Sequence, residues 1–319
     1  MHSYRYQVEV CDVPEVRRKA LLEYRNFRLK CLEYIRSEAD TSVSTQLSRL
    51  AWYTAVFKTL NKARAIESTR EVNGPMWDLV VTGYSTIVTL GVRRLVDDDR
   101  RVDSVRNVLT QLKKRPELLR RENYVCFDGV PYDGSEACSR HFSRLGVTDA
   151  SAAGSLEERA SIERDSEWGM AEILHKAFDR LAGHPIKRSR NDAVSASLID
   201  SMISRIDSPA IKRVCHLADR KFAHAERIKA DNPVPVTTLD DIDEALETLF
   251  RVTNFLSSSI FQDAHFVRVV PVPQYNVLAG LDEPWISKAM LPELRRQWDE
   301  ICRAMDDWAT DCNAGFVTS

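Results

Sequence analysis

From residue 14 to 38, apolar side chains return every three or four positions through Leu21, Leu22, Phe27, Leu29, Leu32 and Ile35. That spacing lays one apolar face along an α-helix, and Pro14 stands at the N-terminal position where a missing N–H costs a helix nothing. After a break at 41–44, residues 45–66 (TQLSRLAWYTAVFKTLNKARAI) predict a second helix, which Asn73-Gly74-Pro75 separates from a third over 76–98. Asp103-Ser104 starts another, SVRNVLTQLKKRP, closed by Pro116. The stretch 123–154 breaks the period. It holds Asp128-Gly129, Asp133-Gly134, Gly146, Gly154 and many small residues, and predicts a loop-rich insertion.

Helix resumes with SLEERASIERD, a capping-box start, and runs with a break to about 182, where Gly183-His184-Pro185 ends it. Helices over 192–206 and 209–229 flank the turn Asp207-Ser208-Pro209. Asn232-Pro233-Val234-Pro235 is a stiff turn, and Thr238 caps a long amphipathic helix over 239–262. Residues 266–281 (FVRVVPVPQYNVLAGL) are the only plausible β content, a short hairpin at most, and Pro284 leads into a last helix to about 308. The pattern predicts an all-α bundle of about eight to ten helices. It is drawn as one domain over 1–319: a helical core at 12–122 and 155–262, the insertion at 123–154, and a C-terminal hairpin and helix at 263–319.

Composition supports that fold class and removes several functions. Eleven Gly in 319 residues is about half the usual share, and neither GxGxxG nor GxxxxGK[ST] occurs, so nothing supports dinucleotide or P-loop binding. Basic and acidic residues nearly cancel, 45 against 47, which excludes binding nucleic acid by bulk charge. Arg outnumbers Lys 33 to 12. Arg offers a planar fork for phosphate or carboxylate, although a GC-rich genome produces the same bias. The seven Cys are scattered, odd in number and without a CxxC, as expected of reduced thiols in a cytoplasmic protein. The chain's start lacks the apolar core of a signal peptide. The most apolar stretch, 77–92, carries Asp78 and several hydroxyls and is short for a membrane span, so a buried helix is expected and no membrane partner.

One segment concentrates chemistry. On the 209–229 helix, Ile211, Val214, Cys215, Ala218, Phe222 and Ala225 form an apolar seam. Beside it Arg213, His216, Arg220, His224 and Arg227 step by three or four along one stripe, with Asp219 adjoining. An imidazole can move protons near neutral pH and a guanidinium can hold an anionic phosphate. Such a stripe needs an anion to offset its repulsion. Asp240, Asp241, Asp243, Glu244 or Glu247 of the following helix would supply one from within, and RNA would supply one from outside.

LADRKFAHAER (217–227), followed by the Pro-containing turn and the TLDDIDEALE helix, resembles the HEPN superfamily of helical-bundle proteins, in particular its AbiU-type phage abortive-infection members. The block at 77–112 is similar too, with Arg94-Leu95-Val96-Asp97 in place of that type's Arg-Leu-x-Asp element ahead of a Ser-led helix. Together the two stretches cover about half the chain. The resemblance implies a homodimeric, cofactor-free and metal-independent endoribonuclease of bacterial defence or toxin–antitoxin systems. RNA would lie in a cleft between protomers and be cut through attack by the ribose 2′-hydroxyl, and an antitoxin or defence partner would accompany the protein. His224 would then be the acid/base and Arg220 the phosphate stabiliser, with Arg213, His216 and Arg227 as phosphate contacts and Asp219, Arg94 and Asp97 in support.

The chain departs from that motif at one point. Family members place four to six residues between Arg and His, whereas Arg220 and His224 have three between them, and the shifted register puts Ala218 where the Arg belongs. Either Arg220 substitutes from one turn away, or the chain is a non-catalytic interaction or regulatory protein that keeps the bundle. Binding of a small nucleotide would use the same residues. Arg94 and Asp97, at i and i+3, are expected to pair on one helix face; the alternative turns Arg94 inward, on a face with Val80, Ile87 and Gly91, to replace the missing Arg. Elsewhere, His175 and His184 suit solvated or capping roles at a helix end. Cys138 and His141 lack a second ligand pair for zinc. The basic run 187–191 reads as an exposed turn with an option on phosphate, and the six Trp as core or interface anchors.

Overall fold

The computed structural model describes residues 4–37, 39–66, 73–145, 156–223, 236–263, 269–280, 283 and 287–310. Among them the chain is all-α, with twelve α-helices and no strand; one isolated antiparallel bridge joins Arg120 to Ala193. It divides into two compact units, Met1–Pro271 and Val272–Ser319.

The first unit contains α1 (Arg18–Arg36), α2 (Val43–Ile66), α3 (Gly74–Leu95), α4 (Val105–Lys114), α5 (Arg121–Cys126) and α6 (Gly134–Leu145). It continues with α7 (Leu156–Asp165), α8 (Trp168–Leu181), α9 (Ala196–Ile206), α10 (Pro209–Leu217) and α11 (Leu239–Phe255). Two starts anticipated from sequence are capped: Ser104 Oγ accepts from the Asn107 N–H, and Thr238 and Asp241 close a capping box on α11. Asn73, read from sequence as a stop, caps α3 by accepting the Met76 N–H, and the capping-box start at Ser155 lies outside the described residues. Leu21, Ile35, Leu47, Leu95, Leu109, Leu112, Ile206 and Ile211 are fully buried in one continuous core, each such side chain stabilising the fold by roughly 1.5–3 kcal/mol. Two helices continue as π-helical turns, α10 through Ala218–Ala223 and α11 through Leu256–Ile260.

The segment 123–154 is not a loop-rich insertion over its described part. All six residues of α5 are buried, so no polar face exists to reveal a helical period, and Tyr124, Val125, Cys126 and Phe127 belong to the core. Asp133-Gly134, which resembles a turn, starts α6: Asp133 Oδ1 accepts the Glu136 N–H at 2.9 Å. The expected hairpin near 266–281 is absent from the described residues 269–280, which form exposed turns; Pro271 and Pro273 bring no N–H to a ladder. The final helix, α12 (Leu291–Thr310), starts later than Pro284 had suggested.

Candidate functional site

The stripe is set up by α10. Ser208 Oγ accepts the Ile211 N–H at 3.4 Å and Pro209 occupies the first turn, so the helix starts where the sequence places it. Ala210, Ile211, Val214 and Ala218 are buried where α10 packs against α3 and α11. This seam orients the polar residues beside it. From Ala218 the helix widens to π geometry, with i→i+5 hydrogen bonds. The uniform α-helix expected over 209–229 is therefore replaced by a wider turn at its centre, within the LADRKFAHAER segment itself. His224 and Arg227 lie outside the described residues.

Arg213 reaches α11. Its Nε donates to Asp241 Oδ1 at 3.0 Å, so one of the acidic residues considered for an internal counter-charge is used as such. Asp241 also accepts the Thr238 N–H at 2.9 Å through Oδ2. The Arg213 guanidinium, followed by the Thr238 N–H, holds its carboxyl down at about 2. Asp219 is engaged from the other side, where Arg93 Nε of α3 donates to its Oδ1. Arg93 Nη1 also donates to Asp97 Oδ2 at 2.7 Å.

The partner of Asp97 is thus Arg93 and not Arg94, which is exposed. Val88, Val92 and Leu95 form the buried seam of α3. Arg93 flanks that seam on the side of the π-helical turn, whereas Arg94 lies a further 100° or so around the helix, toward solvent. The supposed inward face also fails at Ile87, which is 47% exposed. Arg94 is thus not turned inward.

Arg220 is buried, 7% exposed, and its Nη1 stands 3.5 Å from Nε2 of His216, the outer limit of a hydrogen bond. A guanidinium only donates, so any hydrogen bond at this contact has Nε2 as its acceptor. The structure brings Arg213, His216, Asp219 and Arg220 onto one helix with Arg93 and Asp241 closing its flanks. Cys215, in the same neighbourhood, is no nucleophile at neutral pH: burial raises its thiol to about 11.

Comparison with family profiles, curated proteins and solved structures returns no match for this chain. Its chemistry rests on the geometry alone. Among the described residues no group of three or more His, Cys, Asp or Glu is placed to hold a metal ion, and no helix is long and apolar enough to cross a membrane.

A second polar cluster escapes the sequence pattern. Arg121 is fully buried. Its Nε donates to Asp192 Oδ2 at 2.8 Å, its Nη1 to the His175 carbonyl at 3.2 Å, and its Nη2 contacts Asp179 Oδ1 at 2.7 Å without hydrogen-bond geometry. His175 is buried rather than solvated, with Nε2 2.8 Å from the Tyr132 carbonyl; burial lowers its pKa and favours the neutral ring. The basic run 187–191 belongs to this cluster. Arg188 pairs with Glu172 and Asp179, and Arg190 with buried Glu122. These guanidinium groups tie α5 and α8 to the 186–195 loop, and their carboxylates occupy the place a phosphate would take. A pocket of about 720 Å³ opens beside the cluster, between the N-terminal ends of α6 and α8. His184, with φ 57°, donates its N–H to the Asp179 carbonyl at 2.7 Å and closes α8 as a cap.

Proposed function

We propose that this chain is a HEPN-like protein of bacterial defence or toxin–antitoxin systems that acts on RNA through the α10 stripe. What carries the proposal is the pairing of buried Arg220 with His216 at 3.5 Å, inside the segment that resembles the family's Arg–His motif. Arg220 has a His four residues to either side, His216 and His224. A neutral imidazole takes the proton from the ribose 2′-hydroxyl as that oxygen attacks the adjacent phosphorus. The P–O5′ bond breaks, and the leaving 5′-oxygen takes up a proton, giving a 2′,3′-cyclic phosphate and a 5′-hydroxyl. The guanidinium stabilises the extra negative charge on the phosphoryl oxygens. His224 is the acid/base and Arg220 the phosphate ligand, and two protomers form the RNA cleft.

Incubation of the purified protein with end-labelled RNA in excess chelator tests this. Cleavage to cyclic-phosphate ends is expected, reduced at least ~100-fold in His224→Ala and in Arg220→Ala. Cleavage unchanged in His224→Ala removes the catalytic assignment.

A second function is favoured by a separate observation: Arg213 and Asp219 already have partners within the chain, Asp241 and Arg93. Part of the stripe's charge is balanced internally, as suits a non-catalytic interaction protein that retains the bundle. Absence of both cleavage and salt-dependent RNA binding supports that alternative and rejects the RNA assignment.

A further inference from the structure

The pocket of about 720 Å³ between the N-terminal ends of α6 and α8 falls within the roughly 300–1,000 Å³ of small-molecule sites. Tyr132 and Trp168 supply its large rings. The Arg190 guanidinium lies 4.0 Å from the Tyr132 ring centroid, and His175 meets that ring edge-on at 4.8 Å, so this wall is held in place. Trp168 is 37% exposed, which leaves part of its indole open to a ligand. Two glycines shape the pocket for different reasons. Gly134 brings the helix starts together, since a Cβ there would lie 2.8 Å from the Trp168 carbonyl. Gly169 has no such reason: a Cβ on it meets nothing within 4 Å, and its φ is not in the left-handed region. It stands in the first turn of α8, where Ala serves a helix better. What its missing side chain leaves is open space at the edge of the pocket.

Charge selects the ligand. Three charged side chains line the pocket: Asp133, Glu172 and Arg188. Arg188 is committed, because its guanidinium takes both Glu172 oxygens at 2.7 and 3.1 Å and Asp179 at 2.8 Å. Glu172 is thereby neutralised, with Lys176 a further 3.8 Å away. Asp133 is left over. Its Oδ1 accepts the Glu136 N–H and caps α6, while its Oδ2 has no protein partner among the described residues. The first-turn N–H groups of α6 and α8 favour negative charge, but Asp133 already supplies it to α6. The pocket therefore offers aromatic surface beside one available carboxylate oxygen and no available guanidinium.

We propose that the pocket binds a small aromatic cation, with its flat ring against Trp168 and Tyr132 and its ammonium on Asp133. The inference is independent of any activity on RNA.

Alkylation of Cys138 by iodoacetamide, followed by peptide mass, reads occupancy in the full chain, because this part-exposed thiol lines the pocket. Tryptamine is the probe, with neutral indole and anionic indole-3-acetate beside it. Tryptamine is expected to slow the reaction with a half-effect at ~1 mM, as a fragment of about a dozen heavy atoms allows. Indole and indole-3-acetate are expected to act roughly tenfold more weakly. Asp133→Asn, whose amide oxygen still caps α6, removes the advantage of tryptamine over indole. Gly169→Leu, a better helix former, fills the pocket and removes protection by all three without lowering the thermal transition. Alkylation indifferent to tryptamine at roughly ten times the expected half-effect concentration overturns the inference. So does protection that survives both Gly169→Leu and Asp133→Asn, since the probe then sits elsewhere. Indole-3-acetate protecting as well as tryptamine overturns the cation and leaves the helix ends selecting an anion.

Discussion

Asp241 joins three interactions in one carboxylate: it accepts from the Thr238 backbone N–H, closing the α11 capping box, from the Thr238 hydroxyl and from the Arg213 guanidinium. Its depressed pKa fixes the sign of its pH dependence. Ionised Asp241 stabilises the fold fully above the unfolded carboxyl value of about 4, and that contribution is lost as pH falls from there through about 2. Asp241→Asn is expected to cost about 1–2 kcal/mol at pH 7 and to flatten the stability profile between those pH values, as measured by urea titration. The Arg93–Asp219 pair differs, since both side chains are 41% exposed. Asp219→Ala should cost no more than about 1 kcal/mol in the same titration, so a larger loss of RNA binding than of stability would mark a functional role. Cys215, with its thiol raised to about 11 by burial, should resist iodoacetamide at pH 7.5 in the native state and react once unfolded. Arg121 stands apart, fully buried among carboxylates. Arg121→Met leaves Asp192 without its guanidinium, while Asp179 keeps Arg188, and is expected to cost about 3 kcal/mol in denaturant melts.

At the scale of elements, two close approaches decide how helices meet. A Cβ on Gly91 would lie 2.6 Å from Leu50 Cδ2, where α2 and α3 cross. A Cβ on Gly134 would lie 2.8 Å from the Trp168 backbone carbonyl, where α6 starts against α8. A carbonyl cannot swing aside as a side chain can. Gly134→Ala should therefore separate α6 from α8 at a cost of about 1–3 kcal/mol, visible as faster hydrogen exchange in both helices. The long amphipathic helices were legible in the sequence because each buries one face and exposes the other, and Ser104 and Thr238 mark starts by a local hydrogen bond. α5 was illegible for the opposite reason: with six residues all buried it has no periodicity to read. The π-helical turn at Ala218–Ala223 was equally hidden, since a change of winding follows packing against α3 and carries no residue signature of its own.

For the whole molecule, the chain divides into a main helical unit over Met1–Pro271 and a smaller unit, Val272–Ser319, that contains α12. Of the candidate site, the chain's pattern singled out the α10 segment, because Arg and His at steps of three and four are a linear feature. It also offered Asp241 among the possible counter-charges. Which acid pairs with Arg213, that Arg93 reaches Asp219, and that Arg190 faces the buried Glu122 rest on contacts between residues far apart in sequence. Fold class and helix placement follow from local periodicity and caps, which any stretch of chain carries within itself. The partners of charged side chains follow from packing, because a rotation of a hundred degrees along one helix exchanges a neighbour's carboxylate for water.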